Sequence, residues 1–169
     1  MRKTPAARIA LGGMLAAVAV VIMDLVGLIP VATFVCPMLS MMILTLVIQF
    51  CGLRIGWAWY GAVSILTVLL GPDKEAAAIF VFLGYYPMLK PSLDKLKIRT
   101  VLKFLFFNVA ILLMYWLLIN VFGLTQIAHE YSELGVALAF FTLITGNLVF
   151  FMLDIILGRL SVITKLGRR

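Results

Sequence analysis

The sequence predicts an all-α membrane protein, a polytopic bundle of six transmembrane helices that forms a single domain over residues 1–169. The 169 residues are 64% hydrophobic and 12% charged, with a mean hydropathy of +1.18, whereas a soluble domain is roughly half apolar and a quarter charged. The apolar residues also fall into six runs separated by short polar or basic segments. Because further runs follow the first, we do not expect the first run to be a cleaved signal peptide.

The first two runs each match the length of a membrane span. Residues 9–29 are interrupted only by Asp24 and are ended by Pro30; about 20 apolar residues can cross a bilayer core of roughly 30 Å. The second run covers about residues 34–53, with Pro37 in its first turn, where proline is tolerated.

The next two runs are shorter. The third covers about residues 56–70 and begins with aromatic residues typical of a membrane interface, Trp57, Trp59 and Tyr60. The fourth, residues 75–89, would reach only about 22 Å as a helix. We expect it to be broken at Tyr85-Tyr86-Pro87.

The last two runs lie between basic segments. A basic linker, residues 90–103, precedes the fifth run at about residues 101–124. A polar turn at 125–133 leads to the sixth run, about residues 134–157, and a basic tail follows.

The distribution of charge predicts how the chain is oriented. Six spans put both termini on one side, and that side carries 13 of the 14 Lys and Arg residues, all except Lys74. The positive-inside rule then places both termini in the cytoplasm of a bacterial cell. The net charge of +7 therefore reflects membrane topology, and we expect no nucleic-acid partner.

The cysteine and histidine content argues against a disulfide and against a metal site. Cys36 and Cys51 lie on one predicted helix, about 22 Å apart, and a disulfide needs α-carbons within about 7 Å. We expect both to be small core residues. With one histidine and no metal-ligand spacing, we expect neither a metal nor another cofactor.

The first run carries a stripe of small residues at spacings of 4, 3 and 4, which puts Ala6, Ala10, Gly13 and Ala17 on one helical face. Small residues let helices approach closely in lipid. The stripe either packs inside this chain's own bundle or docks another membrane protein.

The overall plan of the chain resembles the substrate-binding S components of energy-coupling factor (ECF) vitamin transporters. The matching features are the length, the six spans, the basic start and RIALGGMLAAVAVVI opening the first helix. Members of that family carry an Ala-x-x-x-Ala motif on the first helix, which Ala6-x-x-x-Ala10 matches. The resemblance implies capture of a small vitamin-like molecule, and as partners a transmembrane coupling subunit and a pair of ATPases.

The family binds its substrate near the outer face, between the later helices. The resemblance therefore implies substrate contacts from outer polar and aromatic residues: Asp24, Asp73, Lys74, Glu75, Tyr85, Asn120, Gln126, His129 and Asn147.

The turn at residues 73–75 allows two interpretations. Asp73 and Glu75 suit the start of a helix, one as a cap and the other at the positive end of the dipole. Charges beside hydrocarbon also tend to face a cavity or a ligand, and Ala76, Ala77 and Ala78 leave room for one.

Other polar residues have alternatives of their own. Asp24 is either a functional carboxylate or a structural partner of a neighbouring helix, whereas Asp154 is better explained as the partner of a basic residue. Tyr85 and Tyr86 suit interfacial anchors better than stacking platforms for a ligand. His129 beside Glu130 suits a solvated loop.

Catalytic motifs are missing from the sequence. It contains no GxxxxGK[ST], Gly-x-Ser-x-Gly or His-Glu-x-x-His, so we expect no enzyme. The alternatives to a transport subunit are a structural scaffold in a membrane complex, such as the cell-shape machinery, and a lipid-modifying enzyme that uses Asp24, His129 or Asp154.

Overall fold

The structure, a computed structural model, describes residues 4–28, 32–120 and 143–160. Those residues form helices and connecting turns and contain no strand. The helices are α1 Pro5–Asp24, α2 Ala32–Cys51, α3 Leu53–Leu70, α4 Lys74–Leu83, α5 Tyr86–Leu93, α6 Arg99–Asn120 and α7 Leu143–Leu160. A short 3₁₀ helix, Leu25–Leu28, follows α1.

Six helical segments in the described part of the chain are long and apolar enough to cross a membrane. Four are single helices, the first, Pro5–Gly27, continues from α1 into the 3₁₀ helix, and α4 and α5 together form the remaining one, Lys74–Leu93. The chain is therefore an all-α, multi-pass membrane protein, as its hydropathy predicts.

The connecting turns define two ends of the bundle. We call the end with the α2–α3 turn the Arg54 end and the end with the α3–α4 turn the Asp73 end. The thiol of Cys51 donates to the carbonyl of Arg8 at 3.2 Å, so α1 begins at the Arg54 end. The hydroxyl of Thr33 donates to Asp73 at 3.0 Å, so α2 begins at the opposite end.

The turn between α2 and α3 is a single residue, Gly52, with φ +99°. Side chains are strained in that conformation, which glycine adopts readily. The tight turn makes α2 and α3 antiparallel neighbours in the bundle.

The centre of the bundle is formed by α2 and α4, which pack against each other and against α3. Met41, Leu44 and Val47 of α2 and Phe80 of α4 are almost completely buried. By contrast, α1, α3, α6 and α7 each expose large apolar side chains. Because lipid is as apolar as these side chains, such faces are stable in a bilayer.

The fourth run is broken as predicted, but one residue earlier and over a shorter stretch: the break is at Gly84 and Tyr85, between α4 and α5, and Tyr86 and Pro87 already belong to α5. Pro87 lies in the first turn of α5, where its missing N–H removes no helical hydrogen bond. The hydroxyl of Tyr60 donates to the carbonyl of Val81 in the last turn of α4, which satisfies a group near the helix end.

The predicted basic linker at residues 90–103 is wrong in extent. Helix α5 continues to Leu93 and α6 begins at Arg99, so only residues 94–98 connect them. Lys90 and Lys103 are helical and largely buried because carboxylates neutralise them. The fourth span is consequently 20 residues long, not the short segment expected from residues 75–89.

Candidate functional site

An apolar cavity of about 230 Å³ lies between α2, α4, α6 and α7. It extends from Phe34 and Leu143, near the Asp73 end, to Phe107 and Leu153 in the middle of the bundle. Its other wall residues are Met38, Met41, Ile79, Leu83, Ile111, Leu112, Tyr115, Gly146, Val149 and Phe150. Among the described wall residues, Tyr115 alone has a hydroxyl group, and we call its position the polar corner of the cavity.

The polar corner connects the cavity to the charged turn. The hydroxyl of Tyr115 on α6 donates to Oε1 of Glu75 at 2.6 Å. Glu75 occupies the first turn of α4, where a carboxylate is favoured by the helix dipole. A hydrogen-bond donor, the hydroxyl of Tyr115, and an acceptor, the carboxylate of Glu75, therefore meet beside the cavity.

The rest of the charged turn caps two helices. Asp73 accepts hydrogen bonds from the N–H groups of Glu75 and Ala76 at 2.8 and 3.3 Å, which confirms it as the N-cap of α4. Lys74 donates to the carbonyls of Val68 and Gly71 at 2.9 and 3.0 Å and so closes the end of α3. Neither side chain lines the cavity.

None of the seven predicted substrate residues that the structure describes lines the cavity wall, and three of them have quite different surroundings. Asp24 is exposed at the end of α1. Asn120 is exposed and donates to the carbonyl of Trp116 on its own helix. Tyr85 makes edge-to-face ring contacts with Tyr60 and Phe106. Two more predicted substrate residues, Gln126 and His129, lie outside the described residues.

Asn147, the last of the predicted substrate residues, joins α7 to α6. Its side-chain amide and that of Asn108 exchange two hydrogen bonds, of 3.0 and 3.1 Å. Its amide N–H group also donates to the carbonyl of Leu143, at 2.8 Å. The pair fixes the register of the two helices beside the cavity.

A charge cluster, defined as Lys90, Asp94, Lys103 and Asp154, ties α5, α6 and α7 together at the Arg54 end. Asp154 pairs with Lys90 and, at 2.9 Å, with Lys103. Lys103 also pairs with Asp94 at 2.5 Å. The prediction that Asp154 is the partner of a basic residue is confirmed.

The charge cluster is largely buried, which makes its internal pairing essential. The side chains of Lys90, Lys103 and Asp154 are only 12%, 11% and 16% exposed. The hydroxyl of Tyr86 adds a hydrogen bond to Asp154 at 2.5 Å. A buried charge without such partners is strongly unfavourable, and two Lys balance two Asp here, so we assign the cluster a structural role.

The small-residue stripe of α1 faces away from the bundle. Ala6, Ala10, Gly13 and Ala17 are all exposed. A Cβ added to Gly13 would meet no atom within 4 Å, whereas one added to Gly12 would contact Ile55. In the described part of the chain, α1 thus packs through Gly12 and leaves the stripe uncovered, which argues against internal packing of the stripe.

The two cysteines are buried and unpaired, as the sequence predicts. Among the described residues, no three His, Cys, Asp or Glu side chains come close enough to hold a metal ion.

Comparison of the chain with models of protein families, with curated proteins and with solved structures found no match.

Proposed function

We propose that this chain is the membrane-embedded substrate-binding subunit of an ECF-type transporter in the bacterial plasma membrane. It would capture a small vitamin-like molecule at the outer face and hand it inward when partner ATPases drive a rearrangement. In this role the chain binds its substrate and does not transform it. The observation that carries the proposal is the apolar cavity inside the bundle.

The cavity has the composition of a small-molecule site. Such sites are mostly apolar and contain a few polar groups that fix the ligand's orientation. Here the apolar wall would supply binding energy, and the Tyr115–Glu75 pair would supply one directional contact.

The volume of the cavity limits the size of its ligand. About 230 Å³ lies just below the roughly 300–1,000 Å³ typical of small-molecule sites. It equals the volume of roughly eight water molecules in the liquid. We therefore expect a compact ligand with one hydrogen-bonding group.

The orientation favoured by the basic residues agrees with capture from outside. With both termini in the cytoplasm, the Asp73 end faces outward. The cavity begins near that end, at Phe34, Tyr115 and Leu143. A substrate would then enter between the ends of α2, α6 and α7.

The exposed stripe on α1 supports the proposal that the chain binds another membrane protein. Its four small residues would let a helix of the coupling subunit approach the backbone of α1 closely. The ATPase pair would bind that subunit in the cytoplasm. A structural scaffold would use the same surface but would need no ligand cavity.

A thermal-shift screen of the purified chain against vitamins and related metabolites tests the proposal. A ligand at 100 times its Kd adds about 2.7 kcal/mol, which raises Tm by about 5–10 °C for a chain of this size. We expect Met38→Trp, which fills the cavity, to abolish the shift. Leu39→Trp is the matched control, because Leu39 is exposed on the lipid side of α2.

Two results would overturn the proposal. One is a panel in which no compound shifts the Tm of the wild-type chain. The other is a ligand that binds Met38→Trp as tightly as it binds wild type.

A further inference from the structure

A second, larger cavity lies at the Arg54 end. It is a groove of about 960 Å³ beside the start of α6 and the end of α7. Its apolar side chains Phe104, Phe151 and Ile155 are 59%, 56% and 44% exposed. Since exposed apolar side chains of a membrane span face lipid, the groove opens into the bilayer.

The groove has an excess of positive charge. All four members of the charge cluster line it, but their charges cancel. Two further cations, Arg99 and Arg159, also line it and are exposed. Within residues 4–28, 32–120 and 143–160, neither arginine forms an ion pair.

The exposed arginines and the exposed aromatic side chains of the groove lie at different depths along α6 and α7. Arg99 begins the fifth span, and Arg159 is the last residue but one of the sixth. Phe104 lies five residues further into the span than Arg99, or about 7.5 Å along the helix. Phe151 lies eight residues deeper than Arg159, or about 12 Å. The groove is thus cationic at its mouth and mainly apolar along Phe104 and Phe151, with one polar side chain, Asn147, deeper still.

We propose that this groove binds an anionic phospholipid. The two guanidinium groups and the hydroxyl of Thr100 hold the headgroup phosphate, because arginine matches phosphate oxygens in charge and geometry. One acyl chain lies along Phe104 and Phe151. Basic pockets between spans on the cytoplasmic side suit anionic headgroups, and the Arg54 end faces that side under the positive-inside rule.

The inference goes beyond the proposed transport function and does not depend on it. Lipid binding needs no vitamin-like ligand and no partner subunit. The two proposals also fail separately, because one is tested by filling the apolar cavity at Met38 and the other by removing charge at the opposite end.

The test is binding of phosphatidylglycerol to the purified chain in neutral detergent, measured by native mass spectrometry and by Tm. Phosphatidylcholine with the same acyl chains provides the comparison. We expect phosphatidylglycerol to bind more tightly and to raise Tm. Each of Arg99→Gln and Arg159→Gln should weaken its binding about fivefold, since a basic residue near the surface contributes about that factor.

A matched control separates the groove from general positive charge. Lys95→Gln with Lys97→Gln removes as much charge as Arg99→Gln with Arg159→Gln, but from the 94–98 turn, whose lysines do not line the groove. The lysine pair should leave phosphatidylglycerol affinity unchanged. Neither pair of substitutions should change Tm without lipid, because all four side chains are exposed.

Other outcomes overturn the proposal. Equal binding of the two lipids would mean that the headgroup charge is not recognised. An equal loss in the lysine pair would mean that net charge alone is sensed. If inorganic phosphate raises Tm as much as phosphatidylglycerol does, or if Phe104→Ala with Phe151→Ala leaves lipid affinity unchanged, the site is a simple anion site and not a lipid groove.

Discussion

At the scale of single residues, Asp154 connects three helices of the bundle. It accepts hydrogen bonds from Tyr86, Lys90 and Lys103, which lie on α5 and α6. Three helices therefore meet at one carboxylate. Asp94, the other acid of the charge cluster, is 39% exposed, so solvent or lipid headgroups can share its interactions.

We predict that Asp154→Asn lowers the free energy of unfolding by about 3–5 kcal/mol, the usual cost of leaving a buried partner charge uncompensated. The substitution keeps the shape of the side chain but leaves Lys90 and Lys103 with one carboxylate. Equilibrium unfolding in detergent micelles measures the effect.

Asp94→Asn is the control for that experiment. Because Asp94 is more exposed, its loss should cost no more than about 1 kcal/mol. If the two substitutions lower the free energy of unfolding equally, the burial of Asp154 does not determine its contribution to stability.

At the scale of helices, hydropathy predicts the spans because each is a long run of apolar residues. The helix bounds near Lys90 and Lys103 were missed for a physical reason. Lysines normally mark a loop. These two can lie in helices because Asp154, about fifty or more residues away in sequence, helps to neutralise them. Only the folded arrangement shows that the charges cancel.

The candidate site was only partly predictable. The sequence points to Glu75 because it is a charged residue beside an apolar run, and Glu75 does accept a hydrogen bond from Tyr115 at the cavity wall. The cavity wall was missed. Its apolar residues are spread over four helices, and in sequence nothing distinguishes them from apolar residues that face lipid.

For α1, the proposed function predicts that Gly13→Leu abolishes assembly with the proposed coupling subunit and leaves ligand binding intact. A leucine there meets no described atom close to its Cβ, but it would separate α1 from a partner helix that packs on the stripe. Co-purification with the coupling subunit and ATPases of the source organism measures assembly.

The control is Gly61→Leu on α3, where an added Cβ also meets nothing within 4 Å. It should assemble normally. If Gly13→Leu assembles as well as this control, the stripe is not a docking surface.

At the scale of the whole molecule, the two cavities extend toward opposite ends of the bundle and share one wall residue, Phe150. The apolar cavity lies toward the Asp73 end, and the basic groove lies at the Arg54 end. This polarity matches the charge asymmetry of the chain, in which Lys74 alone among 14 Lys and Arg residues is expected outside. If the chain were inserted in the opposite orientation, the apolar cavity would lie toward the cytoplasm and the basic groove toward the outside.

We predict that Lys74→Cys is labelled from outside intact cells by an impermeant maleimide and that Lys97→Cys is labelled only after permeabilisation. Both residues are exposed, Lys74 at the start of α4 and Lys97 in the 94–98 turn, at opposite ends of the bundle. Cys36 and Cys51 are replaced by alanine in both variants to remove background labelling. The reverse pattern of labelling would mean that the termini face outward.

The charge cluster also constrains how the chain is assembled during synthesis. Lys90 and Lys103 reach the membrane before Asp154, which belongs to the last described helix, α7. Until α7 arrives, two lysines share one acid, Asp94, and the nascent bundle keeps an unbalanced charge that lipid tolerates poorly. Entry of α7 neutralises that charge and fixes α5 and α6 in place. Helix α7 therefore completes the assembly of the described helices, and we expect chains that stop before it to stay loosely assembled and to be cleared by membrane proteases.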